Sequence, residues 1–491
     1  MDFQVFKDGK VVDNFTLCGA YLFGSDGIGV RRTQITFENG IISCKKPNPE
    51  TAGLALLWSI EGFGKVLLPT ACLPERRGVY NLNVEVARGK LMQVINKRED
   101  WSFFDGVEDL GEISKEAQHL FVRALQNISD APKASRLADE SLKKAIVFSE
   151  RLALRQAETL FDTRCGDHGF SRGCLGCKVD PERIDNPKYV ERLQELFGFV
   201  TVPLNWARIE PYKGHYDFSA VDKCINVLVK KRFAICAGPL LCFAKESLPK
   251  WLLNSGAGFE KIRETAYQFV CKVVGRYWSS VHAWRVINGL NAFNHFGFSF
   301  EQVLEMSRAA NMAVRATSNR AVKIIEVSNP WGEYYTTVPN TIPPLVYVDM
   351  VVQSGINFDV FGLQMRFGKN QGGMHVRDLM RISAVLDYFS AVGKPLYITE
   401  VEVPSEQAGG LQEPDVAGVW HQGWDQARQG QWIEQFYKIA LSKPFVDTVT
   451  YSNLADMKSS AIASSGLLTA KLEPKQSFAT LKKLHELIFS R

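Results

Sequence analysis

The spacing of apolar and polar positions divides the chain into three regions. In residues 1–110, short apolar and β-branched segments are separated by Gly, Pro and Asn-Gly turns, of which Asn39-Gly40 is typical of a tight hairpin. Candidate strands lie at 34–37, 53–58, 66–68 and 82–86. This pattern predicts an N-terminal all-β sandwich of jelly-roll type.

The second region, residues 111–163, changes to helical spacing. It is rich in Ala, Leu, Glu, Lys and Arg, and its periodicity is interrupted at Asp130-Ala131-Pro132. We therefore predict two helices, the second of them long, that connect the β domain to the rest of the chain.

In the third region, residues 164–491, strand-like and helix-like segments alternate. The helices carry start signals, such as Asn186 before Pro187 and a capping box of Ser299 with Gln302. A doubly wound sheet is disfavoured because no glycine-rich phosphate turn follows the first strand. The pattern predicts a (β/α)8 TIM barrel, with strands at 173–179, 199–202, 233–241, 281–288, 322–328, 358–364, 396–400 and 446–452.

Composition narrows the classes of function. Lys and Arg number 58 against 53 Asp and Glu, and no basic block is present, so nucleic acid is not an expected partner. No apolar run is long enough to span a membrane, and charges interrupt residues 1–20, which do not resemble a signal peptide. The ten scattered cysteines then indicate reduced thiols and a cytoplasmic location. No cofactor is expected, and the oligomeric state stays open.

The chemistry of a TIM barrel lies where its strands end. The seventh predicted strand ends at Glu400, and a carboxylate there is costly to bury unless it has a partner or a task. Gln364 and Arg366 share one face of the sixth strand, and Asn288 ends the fourth. The loop after the fifth strand contains Glu333 among aromatic residues, which is a common composition for a sugar site.

Across residues 170–490, these strand ends resemble glycoside hydrolase family 10, the β-1,4-xylanases. The matching motifs occur in the family's order, each at the corresponding predicted strand. They are Val202–Gly214 for the second-strand pattern, Pro249-Lys-Trp251, Trp284-Arg-Val-Ile-Asn288, Gly362-Leu-Gln364 and Ile398-Thr-Glu400.

The resemblance implies roles for individual residues. Glu400 corresponds to the family's nucleophile, and Asn288 to the Asn that holds the sugar 2-hydroxyl and the nucleophile. Gln364 corresponds to a substrate contact, and Trp206 and Trp251 to aromatic positions of the family. The expected substrate-binding set also includes Asn205, where the family has Lys, as well as Arg366, His295 and Tyr334.

One departure from the family affects the chemistry directly. The family's general acid/base Glu follows the strand-four Asn, and here that position is Gly289. Cleavage of a glycosidic bond normally needs two carboxyl groups. We predict that Glu333 supplies the missing acid, with flanking aromatic residues raising its pKa by desolvation.

A second departure is Arg366, which stands where the family has His. It indicates either recognition of an anionic sugar, uronic or sulfated, or an ion pair with Glu400 or Glu402. A third feature is a possible zinc site with no counterpart in the resemblance. Cys165, His168, Cys174 and Cys177 have a spacing that could ligate zinc. Cys174 and Cys177 fall within the first predicted strand, however, where residues three apart point to opposite faces, so buried free thiols are expected instead.

Taken together, the sequence predicts a glycoside hydrolase that acts on a β-linked oligo- or polysaccharide, either xylan-like or anionic. Glu400 is the expected nucleophile or base, and Glu333 the expected acid. The main alternative is a carbohydrate-binding pseudoenzyme, and another is a scaffold protein that uses the barrel edge. The β domain is expected to bind carbohydrate by analogy of architecture.

Overall fold

The N-terminal region is rich in β-structure, as predicted. The computed structural model describes residues 1–101, 110–167, 169–407 and 416–489. Two sheets have the strand orders β5-β6-β1-β9 and β18-β8-β7-β4, and β2 pairs with β3. The strands are β1 (Asp2–Gln4), β2 (Phe6–Lys7), β3 (Lys10–Val11), β4 (Tyr21–Phe23), β5 (Gln34–Glu38), β6 (Ile41–Lys45), β7 (Gly53–Ile60), β8 (Gly64–Pro69) and β9 (Tyr80–Asn81), with β18 (Val419–Trp420) joining from a later loop.

The predicted strand at 82–86 is wrong, because this segment forms the first turns of helix α1 (Leu82–Asp100). The side chain of Asn81 caps the helix by accepting a hydrogen bond from the backbone N–H of Val84. The helix is buried on most sides of its first half, so its apolar residues show no helical stripe. The strands of this region consequently end at Asn81, well before residue 110.

The two predicted connector helices are present. They are α2 (Gly111–Gln126) and α3 (Ala131–Asp167), separated by the predicted break. Leu142 and Ile146 of α3 belong to the same apolar core as Trp58 of β7. Further along α3, Phe148 and Leu152 pack with Met380 of the barrel. The long helix therefore contacts both the β domain and the barrel.

The remaining strands form a closed parallel barrel, as predicted. The barrel strands are neighbours in chain order, and the last, β19, pairs with the first, β10. The third position is shared by two short strands, β12 and β13, which both pair with β14. The barrel strands are β10 (Leu175–Lys178), β11 (Phe199–Pro203), β12 (Ala234–Gly238), β13 (Leu241–Cys242), β14 (Ala283–Asn288), β15 (Val322–Val327), β16 (Val360–Arg366), β17 (Leu396–Glu402) and β19 (Val446–Tyr451).

Helices surround the barrel, and the start signals at Asn186 and Ser299 act as predicted. Asn186 caps its helix, and Ser299 with Gln302 forms the capping box. In the part of the chain that the structure describes, no helix is long and apolar enough to cross a membrane. The helices are α4 (Pro187–Gln194), α5 (Trp206–Ile209), α6 (Ser219–Lys230), α7 (Lys250–Leu253), α8 (Phe259–Tyr277), α9 (Phe300–Thr317), α10 (Pro344–Gln353), α11 (Leu379–Ser390), α12 (Gln426–Ser442) and α13 (Gln476–Phe489).

The β domain is joined to the carboxyl-terminal end of the barrel by specific contacts. Strand β18, from the loop after β17, pairs with β8 of the N-terminal sheet. Arg31 donates to the backbone carbonyls of Tyr335 and Thr341 in the loop after β15. Lys90 and Asp378 form a fully buried ion pair, with 2.8 Å between Nζ and Oδ1. The loops after β15, β16 and β17, including the one that carries Glu333, are thus held from outside the barrel.

Candidate active site

Glu400 lies near the carboxyl-terminal end of β17, and its carboxylate is buried among three cations. Its Oε1 atom is 3.1 Å from Nη2 of Arg285 and 3.5 Å from Nζ of Lys178. Its Oε2 atom is 3.8 Å from Nη1 of Arg366. Burial alone would raise the pKa of Glu400, but the three cations outweigh it and hold that pKa well below its usual range. The three cations therefore favour the ionised form of this carboxylate.

Arg285 connects Glu400 to a second buried carboxylate, that of Glu326 on β15. A single guanidinium nitrogen, Nη2, lies 2.8 Å from Oε1 of Glu326 and 3.1 Å from Oε1 of Glu400. Thr399 donates its hydroxyl to the same Glu326 oxygen at 2.5 Å. Burial would lower the pKa of Arg285, yet the two carboxylates raise it above its ordinary value. Arg285 thus holds strands four, five and seven of the barrel together by charge.

A chain of hydrogen bonds connects the ends of strands four, five and six. The hydroxyl of Ser328 is 2.9 Å from Oδ1 of Asn288 and 3.0 Å from Oε1 of Gln364. Gln364 donates its Nε2 to Oδ1 of Asn288 at 3.2 Å, and Arg366 donates Nη2 to Oε1 of Gln364 at 3.2 Å. The structure therefore brings together Asn288, Gln364, Arg366 and Glu400 from the predicted set, with Gln364 and Arg366 on one face as expected.

The backbone at Gly289 explains why strand four carries no acid. Gly289 has a φ of +58°, a conformation that favours glycine. A Cβ atom placed there would lie 2.4 Å from Oγ of Ser328 and 2.8 Å from the ring of Phe293. A glutamate at this position would therefore displace the hydroxyl that joins Asn288 to Gln364.

Glu333, the predicted acid, occupies a closed ion pair. It begins a short 3-10 helix (Glu333–Thr336), and its side chain is buried. One carboxylate oxygen accepts from the guanidinium of Arg377 and the other from the backbone N–H of Gly373. The ring of Trp331 lies 4.1 Å from the Arg377 guanidinium carbon. Glu333 shares none of these partners with Glu400, and this arrangement ties two loops together without exposing a proton donor.

The two predicted aromatic contacts, Trp206 and Trp251, both donate hydrogen bonds to Glu210 in the loop after β11. Trp206 is 2% exposed, stacks on Phe269, and donates its ring N–H to Glu210 at 2.8 Å. Trp251 donates to the backbone carbonyl of Glu210 at 2.9 Å. The structure thus uses both indoles to anchor the loop after β11, and Trp206 offers no free face to a sugar.

The other predicted substrate contacts also have structural partners. Asn205 caps α5 through its side-chain oxygen. Tyr334 is buried, and its hydroxyl is 2.6 Å from the carbonyl of Ile342 and 2.5 Å from Nδ2 of Asn291. His295 is exposed after β14, with its ring against Phe296. Of these three residues, His295 is exposed and Asn205 is partly exposed, and the sugar contacts of both stay predictions.

A further acidic residue at this end of the barrel is Glu402, which is neither exposed nor, among the described residues, paired with a cation at bonding distance. Its Oε1 accepts from Nδ2 of Asn453, the hydroxyl of Ser465 and the backbone N–H of Ile462 at 2.7–3.1 Å. Burial outweighs the nearby cations and raises the pKa of Glu402. Glu402 therefore holds the loop after β19 in place.

The possible zinc site is not formed by the residues that can be placed. His168 lies outside the described residues, and among those described no group of His, Cys, Asp and Glu could hold a metal ion. Cys174 and Cys177 are buried free thiols, and burial raises the pKa of Cys174 to about 12. Their environment matches the buried-thiol alternative.

Sequence reasoning missed Lys178, Arg285, Glu326 and Ser328. The available signal was the one used for Glu400: a charged residue inside an apolar barrel strand needs a partner. Arg285 lies between Trp284 and Val286, and Glu326 between Ile325 and Val327. The two could have been matched as opposite charges on neighbouring strands.

Comparison with known proteins agrees with this architecture. The family model described as glycosyl hydrolase family 10 matches residues 168–483. An endo-1,4-beta-xylanase/feruloyl esterase of Xylanibacter ruminicola is 22% identical over 307 residues, covering 58% of this chain and 41% of that protein. Endo-1,4-beta-xylanase C of Paenibacillus barcinonensis is 22% identical, covering 57% of this chain and 27% of that protein. The chain thus spans less than half the length of these two relatives.

Solved structures show the same fold. Native xylanase 10B of Thermotoga maritima aligns with a TM-score of 0.50 at 17% identity, covering 69% of this chain and 99% of that one. A GH10 endoxylanase from a sugarcane soil metagenome aligns with a TM-score of 0.51 at 17% identity, covering 65% of this chain and 98% of that one. Since the family model covers well over half of its length, this chain belongs to glycosyl hydrolase family 10.

Proposed function

We propose that the chain is a glycoside hydrolase that acts on a β-linked, xylan-like oligo- or polysaccharide, with Glu400 as the nucleophile. The observation that carries this proposal is the position of Glu400, ionised near the end of the seventh strand and close to Asn288 and Gln364 through Arg366. An ionised carboxylate among sugar-binding amides is the arrangement that attack at an anomeric carbon requires.

The proposed reaction has two steps. In the first, a carboxylate oxygen of Glu400 forms a bond to the anomeric carbon while the bond to the leaving oxygen breaks, and that oxygen keeps the electron pair. In the second, water attacks the anomeric carbon of the resulting ester, the bond from that carbon to the Glu400 oxygen breaks, and the water loses one proton to solvent, which releases the sugar and the free carboxylate. The leaving oxygen must also gain a proton, and Gly289 offers no group to supply it.

The absent acid predicts an unusual substrate preference. General acid catalysis is worth about 10²–10⁴-fold, and it matters least when the leaving group is stable as an anion. We therefore expect an aryl β-xyloside with an acidic phenol to be cleaved readily, and an unactivated xylo-oligosaccharide to be cleaved slowly. The experiment compares kcat/KM for both substrates in wild type and in Glu400→Gln, with Glu434→Gln on an outer helix as the control. Loss of aryl xyloside cleavage only in Glu400→Gln supports the proposal, and unchanged cleavage contradicts it.

The acid role of Glu333 is tested in the same assay. Its contacts with Arg377 and Gly373 disfavour proton donation, since both oxygens already accept hydrogen bonds. If Glu333 were the acid, Glu333→Gln would slow the xylo-oligosaccharide far more than the aryl xyloside. If Glu333→Gln and wild type cleave the xylo-oligosaccharide at equal rates per folded molecule, Glu333 is not the acid.

A carbohydrate-binding protein without hydrolytic activity is the second candidate, and Gly289 is the observation that favours it. In that case both substrate classes bind with measurable affinity and neither is cleaved. Cleavage of the aryl xyloside that depends on Glu400 would exclude this candidate.

We also propose that the N-terminal sheets bind carbohydrate. A cavity of about 1050 Å³ lies between the sheets and α3, where Phe15 and Trp58 meet the polar residues Asp139 and Arg136. Aromatic rings beside polar groups suit a sugar. Phe15→Ala is expected to weaken binding to insoluble xylan while turnover of a small aryl xyloside is unchanged, with the melting temperature as a folding control. Undiminished xylan binding would contradict this role. A cytoplasmic location also stays a proposal, and the buried thiols of Cys44, Cys174, Cys177, Cys224 and Cys236 support it.

A further inference from the structure

Positive charge exceeds negative charge around Glu400. Three cations, Lys178, Arg285 and Arg366, lie within 4 Å of its carboxylate. The Arg285 charge is already matched by Glu326 at 2.8 Å. Among the described residues in direct contact, two carboxylates therefore face three cations.

The remaining acid does not restore the balance. Glu402 is buried and accepts three hydrogen bonds from neutral donors. Lys178 and Arg366 also act on Glu402, but burial outweighs them and raises its pKa. A neutral xylan chain would leave this positive charge without a counter-ion among partly buried side chains, which is unfavourable.

Two of the three cations have room for a second partner. Nη1 of Arg366 is 3.8 Å and Nζ of Lys178 is 3.5 Å from Glu400, so Arg366 at least is beyond ordinary hydrogen-bond distance. Their side chains stay 17% and 22% exposed, whereas that of Arg285 is 1% exposed. Moreover, Nε and Nη1 of Arg285 have no hydrogen-bond partner within the described part of the chain. The cluster therefore has more donors than its own carboxylates use.

We infer that the cleft takes a β-linked sugar chain with an anionic group, the carboxylate of a uronic acid, which Arg366 and Lys178 hold next to Glu400. This inference rests on the proposed function and specifies its substrate class. A planar guanidinium suits a carboxylate because two N–H groups can point at two oxygens, and the ammonium of Lys178 adds a second charge. A sulfate ester shares the same chemistry, so the experiment includes it.

The test measures binding to the full chain by calorimetry at low ionic strength. The probes are a neutral xylo-oligosaccharide, the same chain with one uronic acid, the same chain with that carboxyl group reduced to an alcohol, and a sulfated chain. We expect the uronic acid form to bind on the order of tenfold more tightly than its reduced counterpart, because charge-assisted hydrogen bonds are worth about 1.5–3 kcal/mol. The preference should decrease with added salt.

Variants assign the effect to residues. Arg366→Gln and Lys178→Gln are each expected to reduce the preference, with the second variant available if the first folds poorly. Arg208→Gln removes an exposed cation of the loop after β11 and should leave the preference unchanged. Stronger binding of the sulfated chain also supports an anionic subsite and changes its ligand to a sulfate ester. Equal binding of charged and neutral chains overturns the inference but leaves the proposed function intact. Binding of none of the probes overturns both.

Discussion

Two buried carboxylates at the same end of the barrel, Glu400 and Glu333, are held in opposite ways. Glu400 faces three cations at 3.1–3.8 Å, two of which remain partly exposed. The carboxylate of Glu333 accepts hydrogen bonds from the guanidinium of Arg377 and the backbone N–H of Gly373, and the ring of Trp331 packs on that guanidinium. The first arrangement leaves partly exposed donors for a ligand, whereas in the second both carboxylate oxygens already accept a hydrogen bond. A buried acid is therefore a functional candidate when its partners are loosely placed, and a structural one when they are not.

The largest expected effect is on catalysis at Glu400. Glu400→Gln removes the attacking oxygen's charge, and we expect aryl xyloside turnover to decrease by at least about 10⁴-fold, as for loss of other nucleophiles. Steady-state kinetics measure this decrease, and Glu434→Gln serves as the surface control. Residual activity within tenfold of wild type would show that Glu400 is not the nucleophile.

The next effect is on stability at Glu333. Arg377→Met leaves the buried carboxylate of Glu333 without its counter-ion, so we expect the free energy of unfolding to fall by about 3–5 kcal/mol. Urea denaturation measures the change. The double variant Arg377→Met/Glu333→Leu should recover much of it, because an apolar pair needs no counter-ion. A single variant as stable as wild type would show that the closed ion pair does not hold these loops.

A smaller effect is expected at Gly289. Gly289→Ala places a Cβ against Ser328 at a φ of +58°, and we expect a loss of about 1–3 kcal/mol from backbone strain plus the cost of moving the hydroxyl. Gly256→Ala is the matched control, since it has a φ of +61° and nothing within 4 Å of the added atom. The difference between the two, from urea denaturation, isolates the contact with Ser328. An equal decrease in the free energy of unfolding of both variants would show that the contact with Ser328 does not restrict residue 289.

The smallest effect is a shift in pH dependence. The cations depress the pKa of Glu400 in the folded protein. The ionised carboxylate therefore stabilises the fold, and this contribution is complete above the unfolded pKa of about 4.3. It is lost as the pH falls through the lower pKa of the folded protein. Arg366→Gln removes one cation and raises the folded pKa. We therefore expect the acid limb of the kcat/KM profile to move to higher pH, while Arg208→Gln leaves it in place. If the acid limb of the kcat/KM profile of Arg366→Gln stays at the wild-type pH, Arg366 does not lower the pKa of Glu400.

Much of the barrel could be predicted from sequence because each strand is a short apolar run between helices with clear start signals. Asn288, Gln364, Arg366 and Glu400 could be located because strand alternation and order assign them to one end of the barrel. The helix at Leu82–Asp100 could not, since burial on several sides removes the periodicity that distinguishes helix from strand.

The environment of Glu333 was beyond the reach of local patterns. Its partner Arg377 lies 44 residues further along the chain, in the loop after the next strand. The aromatic neighbours in sequence suggested a desolvated acid, whereas the fold supplies a counter-ion from a distance. Similarly, Arg285 and Glu400 are 115 residues apart, so neither sequence neighbourhood shows the ion pair that controls the charge of the site.

The central claim, that Glu400 forms a covalent bond to the sugar, is tested most directly by trapping. An activated 2-deoxy-2-fluoro-β-xyloside with a fluoride leaving group needs no acid to react and slows hydrolysis of the resulting ester. Peptide mass spectrometry of the treated protein should show the fluorosugar on the peptide that contains Glu400 in wild type, and no adduct in Glu400→Gln. A fluorosugar attached to another residue, or no adduct in wild type, would contradict the account.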